Sequence, residues 1–467
     1  MYSMMEKMYS AVQFILGLGP TIMLPIIIFI MAICLQTGFS RALRSALTIG
    51  MGFIGIFLVF GLLVDTLGPA AKAMVNHTGI DLPVVDLGWT PLAAIAWASQ
   101  IAPFVVPMTI GINVLMLTLN WTKTVDIDVW NFWHFSMVGA MVYGVTGSFL
   151  FGLLIAGATA AITFIMADWC APMIQKYFNL PGISLPTLSS VIFFPIGVLG
   201  NLILDKVPGI NKLNADPDQI QKKFGVFGEP MMLGVILGAG IGLLAEYDLK
   251  GVLNLAMSLG AVMLIMPRMV KLLMEGLMPL SDAVRSFLRK RYPDRNDLYI
   301  GLDIAVAVGH PSVLSTALLL IPVGVLLAVI LPGNRLLPLG DLANIWVPIS
   351  MVVLACRGNI VRAFIIGIPI LAMNLYIASA AAPILTKIAK DMKFPINTDG
   401  EISSLLDGGN PYRYWAVRIF EGNFIALALI PVIFLICLWL YRVTKKQLHE
   451  EEVAENNKNI TEPSTVK

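Results

Sequence analysis

Gly17-Leu-Gly-Pro-Thr-Ile-Met-Leu24 returns in altered form as Phe227-Gly-Glu-Pro-Met-Met-Leu233, with Pro20 and Pro230 set 210 residues apart. The same spacing carries Asp65-Thr-Leu-Gly-Pro69 onto Glu275-Gly-Leu-Met-Pro279. Two matches at one spacing in so apolar a chain read as a duplicated membrane module. Many secondary transporters are built that way, with the solute site between the halves. Chance is the competing explanation for short apolar matches, so the duplication stands here as an expectation.

Composition fixes the class. Hydrophobic residues fill 57% of the 467 positions and charged residues 13%, with a mean hydropathy of +0.82. A soluble chain carries roughly twice that share of charge, so this is an integral membrane protein. A net charge of +2 says nothing about nucleic acid, and no nucleic-acid partner is expected. Cys34, Cys170, Cys356 and Cys437 stand in apolar surroundings without metal-ligand spacing and read as packing residues. No cleavable signal peptide is expected, because no A-x-A-like site closes the first long apolar run.

Charge-free runs at Val12–Gln36, Ser45–Val64, Phe135–Ala167, Ala363–Thr386 and Asn423–Tyr441 are long enough to cross the hydrocarbon core as helices. Pro230–Ala245 and Gly251–Pro267 read as a helical hairpin, and Leu342–Cys356 is a short apolar segment. Three runs are interrupted by proline: Gly88–Thr122 by Pro91, Pro103 and Pro107, Ile304–Asn334 by Pro311 and Pro322, and Tyr177–Leu204 by Pro181, Pro186 and Pro195. Proline breaks helices, and exposed backbone at membrane depth survives only inside protein or beside a watery cavity. The first two therefore read as re-entrant or broken helices, with ordinary kinked helices as the alternative.

Basic loops set the orientation. Arg41 and Arg44, then Lys206, Lys212, Lys222 and Lys223, then Arg285 to Arg295, and last Arg442, Lys445 and Lys446 belong on the cytoplasmic side. The helix ending at Asp65 follows a basic loop, whereas its partner ending near Glu275 precedes one. The two run in opposite directions, which makes the repeat inverted. The fold class expected is an all-α polytopic membrane protein of about 11 transmembrane helices, 5+5 inverted plus a C-terminal helix, with the N-terminus outside and the C-terminus inside. Its parts are a first membrane repeat (8–170), a linker with a proline-broken segment and a basic loop (171–226), a second repeat (227–386), a polar loop (387–422), a last helix (423–442) and a disordered tail (443–467).

Polar groups at membrane depth are costly and mark candidate sites. Glu229 opens an apolar helix, where its carboxylate either accepts hydrogen bonds from a solute or merely complements the helix N-terminus. Asp303 and His310 are seven residues apart, two turns of an α-helix, and can share a face; a buried histidine satisfied by its neighbours is the plainer reading. In Asp126-Ile-Asp-Val-Trp-Asn-Phe-Trp-His134, Asn131 and His134 offer hydrogen bonds and the indoles offer flat apolar faces, a mixture suited to polyols but also to an interfacial aromatic belt. Asp341 holds the matching place in the second half, and Trp89 and Gln100 complete the set. Arg357-Gly-Asn359 reads as a helix cap. The chain has no Walker phosphate loop, no G-x-S-x-G, no H-E-x-x-H and no cysteine–histidine ligand set, so no ATPase, hydrolase or protease machinery is read from it. No metal or cofactor is expected.

Taken together, Leu18-Gly-Pro-Thr-Ile-Met-Leu-Pro25, Leu67-Gly-Pro-Ala-Ala-Lys-Ala-Met74, Val84-Val-Asp-Leu-Gly-Trp89, Asp128-Val-Trp-Asn-Phe-Trp-His134, Val207-Pro-Gly-Ile-Asn211, Lys223-Phe-Gly-Val-Phe-Gly-Glu-Pro230, Ile300-Gly-Leu-Asp303 and Leu331-Pro-Gly-Asn334 resemble the galactitol-specific IIC components of the bacterial phosphoenolpyruvate-dependent phosphotransferase system. The resemblance runs from about Leu16 to about Gly367 and weakens after Leu371. It implies a homodimer in the inner membrane with an elevator-like motion, in which the helices ending at Asp65 and Glu275 stay fixed and the broken helices move. It further implies galactitol or a related polyol as solute and a IIB partner, charged by IIA, whose phosphocysteine phosphorylates the solute on release. The basic loops at Lys206–Lys223 and Arg285–Arg295 then read as docking surfaces for IIB, or as topology signals alone. Glu229, ahead of Asp303, is the carboxylate expected to assist the accepting hydroxyl. Two other readings compete: an ion-coupled permease using Asp303 and Glu229, and an intramembrane enzyme using His310 and Asp303.

Overall fold

The computed structural model describes residues 20–79, 81–210, 215–291, 298–392, 394 and 400–461. Gly17–Gly19 of the first repeated stretch, Lys212, Arg295 and the ends of the first and last sequence segments lie outside the described residues. In chain order the elements are α1 (Pro20–Cys34), α2 (Phe39–Thr78), β1 (Val84–Asp86), α3 (Trp89–Ala98), α4 (Ala102–Thr118), β2 (Thr124–Asp126), α5 (Trp133–Thr146), α6 (Phe149–Tyr177), β3 (Ile183–Ser184), α7 (Leu188–Val191), α8 (Phe194–Leu204), α9 (Pro217–Phe224) and α10 (Pro230–Leu244). They continue with α11 (Leu249–Arg291), β4 (Tyr299–Gly301), α12 (Pro311–Ile330), β5 (Leu336–Leu337), α13 (Trp346–Ala355), α14 (Ile360–Asp391), β6 (Glu401–Ser403), α15 (Pro411–Phe420) and α16 (Phe424–Thr461).

Both proline-led stretches lie in helices: Pro20 stands in α1, described from Pro20 to Cys34, and Pro230 opens α10, where proline suits the first helical turn. The long helices that follow, α2 and α11, begin at Phe39 and Leu249, again 210 residues apart. They pack side by side in opposite directions. The Ser45 hydroxyl donates to the Gly276 carbonyl, and further along α2 a Cβ on Gly52 would lie 2.8 Å from the Leu273 Cα. Glycine is needed at this crossing because the backbones touch.

The proline-interrupted runs do break. α3 and α4 meet at 93° across Ser99–Ile101, with a proline in the first turn of α4. In the second half a 3₁₀ turn at Ile304–Gly309 gives way to α12 at Pro311. Tyr177–Leu204 resolves into β3, α7 and α8. Among the described residues, six helices are long and apolar enough to cross a membrane, or eight with each bent pair taken as one span. Three shorter apolar stretches accompany them: Pro25–Cys34, Leu188–Leu204 and Leu342–Ala355.

The helices are joined by two three-stranded parallel sheets, which an all-α reading leaves out; strands of two or three residues show no alternation in sequence. One sheet has the order β5-β1-β6, pairing Val84 with Leu336 on one side and Glu401 on the other. The other has the order β2-β4-β3, pairing Tyr299 with Thr124, and Ile300 with Ile183. Each central strand comes from one half of the chain and both its neighbours from the other half. The halves are thereby interleaved at the places where the helices break.

Sequence boundaries at 170 and 386 fall inside α6 and α14, and the polar stretch 387–422 contains β6 and α15. The tail also differs from expectation, since α16 continues to Thr461. Its Lys, Glu and Gln residues are good helix formers. Its polar end is also anchored: Glu451 lies 2.6 Å from Arg357 Nε, 3.2 Å from Lys176 Nζ and 2.5 Å from the Tyr177 hydroxyl.

Candidate functional site

A cavity with about 810 Å³ of empty space, part of it open to solvent, lies between α2 and the broken-helix regions. Phe53, Phe57 and Phe60 of α2 form one wall. Opposite stand Asp128, Trp130, Asn131, Trp133 and His134, then Thr187 and Ser189, then Asp303 and, from beyond β6, Asp407.

Asn131 organises the polar side. Its amide nitrogen lies 2.6 Å from Asp303 Oδ2, 3.1 Å from Asp128 Oδ2 and 3.1 Å from Thr187 Oγ1. Asp303 caps the turn after β4 by accepting the Ala305 N–H at 2.6 Å, and Thr187 Oγ1 accepts the Ile304 N–H at 3.0 Å. A primary amide has two hydrogens, so three acceptors around it cannot all be served. Asp128 Oδ1 is buried with no hydrogen-bond partner among the described residues. In these turns, outside the long apolar helices, burial raises the Asp128 carboxyl, with the Asp303 charge adding to it, and burial likewise raises Asp303.

His134 belongs to a second network. Its Nδ1 meets Arg413 Nη2 at 2.5 Å and its Nε2 lies 3.4 Å from Ser189 Oγ. Arg413 Nη1 donates to Asp407 Oδ1 at 2.6 Å and to the Asp407 carbonyl at 2.8 Å, while the guanidinium sits 5.1 Å from the Trp133 ring centroid. Trp133 in turn stacks on Trp89 at 6.5 Å.

A spacing shared by the halves now stands out. Asp128-x-x-Asn131-x-Trp133 and Asp341-x-x-Asn344-x-Trp346 have the same pattern, and Asn344 and Trp346 also line the cavity. The two aspartates differ in use. Asp341 accepts the N–H groups of Trp89 at 2.9 Å and Leu406 at 3.3 Å, the Asn344 amide at 3.3 Å and the Ser404 hydroxyl. Beside it Asp86 accepts four backbone N–H groups, from Gly88, Gly340, Asp341 and Leu405. Burial pushes Asp86 up to about 6 and Asp341 up to about 8. Asp341 and Asp86 thus hold the sheet and its turns together behind the wall, whereas Asp128 and Asp303 face the space.

Of the residues singled out in the sequence, Trp89, Asn131, His134 and Asp303 line the cavity and Asp341 stands directly behind it. Glu229, Gln100 and His310 do not line it. Glu229 precedes α10 with no side-chain capping bond, and Gln100 is exposed in the α3–α4 turn. His310 Nδ1 accepts the Ser312 N–H at 3.3 Å and its ring packs 4.9 Å from Phe178. The helical face expected to unite His310 with Asp303 is replaced by the 3₁₀ turn at Ile304–Gly309. Sequence reasoning missed Thr187, Ser189, Asp407 and Arg413, and passed over Asp128 within a stretch it had marked. The duplicated Asp-x-x-Asn-x-Trp spacing would have found Asp128. For Asp407 and Arg413 the one signal was Asp407-Gly-Gly-Asn-Pro411, a turn and helix start in a segment that resembled an ordinary polar loop.

Long apolar helices closed around a polar, indole-lined cavity define a multi-pass membrane permease. The chain belongs to the family of PTS system sugar-specific permease components, whose pattern it matches over residues 14–399. It is 40% identical over 449 residues, 96% of this chain and 99% of the relative, to the PTS system galactitol-specific EIIC component of Escherichia coli strain K12. The protein of the same name from Escherichia coli O157:H7 matches to the same extent. This places the chain in the inner membrane, as the permease component of a phosphotransferase system that works with IIA and IIB partners. The family match ends at residue 399, ahead of Asp407 and Arg413.

Proposed function

We propose that this permease carries galactitol, or a closely related linear polyol, through the cavity built around Asn131. The single observation that carries this reading is the lining. Two carboxylates bridged by one amide face two stacked indoles, and the one cation of the His134 network, Arg413, is buried and already paired. Carboxylates accept from hydroxyls, an imidazole N–H donates to one, and indole faces cover C–H surfaces. A neutral polyhydroxylated chain satisfies all of these, while an anionic solute would face unpaired carboxylates. The names of the relatives agree with this choice.

Several finer features belong to the same proposal. The starts of α2 and α11 set 210 residues apart, their opposed course and the exchanged strands support an inverted repeat. On that reading α2 and α11 form the fixed, dimer-forming part and the broken helices an elevator-like core. The proposal keeps eleven crossings, an outside N-terminus and a cytoplasmic C-terminus. A phosphocysteine on IIB would phosphorylate the polyol as it leaves. Of the two carboxylates considered for assisting the accepting hydroxyl, Asp303 lies in the cavity and Glu229 does not, so Asp303 is assigned the role.

Membranes containing the chain, supplied with phosphoenolpyruvate, the general phosphotransferase proteins, IIA and IIB, test this with a panel of radiolabelled polyols. The expected result is phosphate on galactitol or one near relative. Uptake without phosphorylation, abolished by an ionophore, would overturn it in favour of an ion-coupled permease.

A further inference from the structure

The strongest unassigned feature is a fully buried arginine that touches a cavity histidine from behind. Arg413 has no exposed surface and His134 is 3% exposed. Arg413 Nη2 lies 2.5 Å from His134 Nδ1. A guanidinium carries only donors and keeps its protons, so His134 Nδ1 has to be the acceptor. The hydrogen of the neutral ring then sits on Nε2, on the side of Ser189 and the cavity.

The arginine is itself held in place. Asp407 takes Nη1 twice, through Oδ1 and its carbonyl, and the Trp133 ring lies against the guanidinium. Asn410 caps α15 by accepting the Arg413 N–H at 3.1 Å. The other charged group facing His134 is Asp407, whose Oδ1 is 3.7 Å from Nδ1 and is already engaged by Arg413. From the α7 region the ring meets the neutral Ser189 hydroxyl, and from its own helix Trp133; Asp128 and Asp303 also line the cavity and are engaged by Asn131. At 3.4 Å the Ser189 contact is long, so the Nε2–H retains most of its donor capacity for a solute oxygen.

We propose that Arg413 is a positioning residue that locks His134 as a neutral Nε2–H donor, and that this donor reads one hydroxyl oxygen of the transported polyol. The second clause rests on the polyol reading above; the first does not. The division of labour follows directly: Asp128 and Asp303 accept from hydroxyl hydrogens, and His134 donates to a hydroxyl oxygen. A polyol in which that hydroxyl is replaced by hydrogen leaves a buried donor unpaired and is rejected. The lock is supplied by a segment beyond the family match.

The chain contains four histidines, so selective ¹⁵N-histidine labelling of the full protein in nanodiscs gives a readable spectrum, with His134 assigned by its disappearance in His134→Gln. The wild type should show the neutral Nε2–H form at His134. Arg413→Lys, which keeps a donor toward Nδ1, should retain that form, and Arg413→Met should lose it. An Nδ1–H or doubly protonated His134 in the wild type would overturn the lock, as would an unchanged ring in a folded Arg413→Met protein; the wild-type spectrum decides even if that variant fails to fold. Galactitol should shift the His134 Nε2 resonance and bind at least tenfold more weakly to Arg413→Met. A correct tautomer that no polyol perturbs would overturn the donation to solute while leaving the lock in place.

Discussion

The amide nitrogen of Asn131 lies 2.6 Å from a carboxylate oxygen of Asp303, a residue 172 positions further along the chain. Asn131 follows β2 and Asp303 follows β4, and these two strands pair in one sheet. The contact therefore joins the two halves of the sequence at the floor of the cavity. The same amide nitrogen lies 3.1 Å from Asp128 Oδ2, so one side chain links two carboxyl groups of the cavity lining.

Asn131→Leu removes the shared donor while keeping the branched shape of the side chain. Hydrogen bonds to charged groups contribute about 1.5–3 kcal/mol, so polyol affinity should fall roughly 10- to 100-fold. Isothermal titration of galactitol into purified protein checks this; unchanged affinity would remove Asn131 from the site.

Stability should depend on pH through Asp126. This carboxyl lies in β2, outside the long apolar helices, and burial pushes it from 3.8 up to about 8. The folded protein holds the proton through that window and the unfolded chain releases it, so the folded state binds more protons and stability falls as pH rises from about 4 to about 8. Thermal melts across that range should slope downward, and Asp126→Asn should make the slope shallower, with Asp86 and Asp341, raised in the same window, supplying the remainder.

The α2–α11 crossing should tolerate no side chain at Gly52, where a Cβ would lie 2.8 Å from the Leu273 backbone. Gly52→Val should cost about 1–3 kcal/mol, the usual range for overpacking. Gly68 on the same helix has open space around its would-be Cβ, and Gly68→Ala should be neutral or stabilising, since alanine is the better helix former by about 1 kcal/mol. Melting temperatures of the two variants provide the comparison.

Glu451→Ala should loosen the end of α16 without unfolding the protein. The ion pairs of Glu451 with Arg357 and Lys176 are partly exposed, and such pairs are worth about 0–1 kcal/mol. Hydrogen exchange should therefore accelerate around residues 443–454 while the global melting temperature stays within a few degrees.

Much of the architecture is legible in the sequence because its signals are local. Proline placement reports the breaks at Pro103 and Pro311, and charge-free length reports the long helices. The site is only half legible. Trp89, Asn131, His134 and Asp303 are conspicuous as polar or aromatic residues in apolar runs. Arg413 and Asp407 matter because folding buries them behind His134, and burial of a polar segment leaves no local periodicity to read. Glu229 and His310 stand out because each is polar beside a proline-led helix, a local signal that carries no information on where a cavity forms, and neither lines this one. The strands are invisible because their partners lie more than a hundred residues away and their length is two or three residues.

The most direct test of the central claim is galactitol binding to the purified protein in nanodiscs, measured for the wild type, Asp303→Asn and Glu229→Gln in parallel. The cavity around Asn131 as solute site predicts binding by the wild type, a loss of at least tenfold in Asp303→Asn, and near-normal affinity in Glu229→Gln. Full binding by Asp303→Asn together with loss in Glu229→Gln would contradict it and move the site to the mouth of α10.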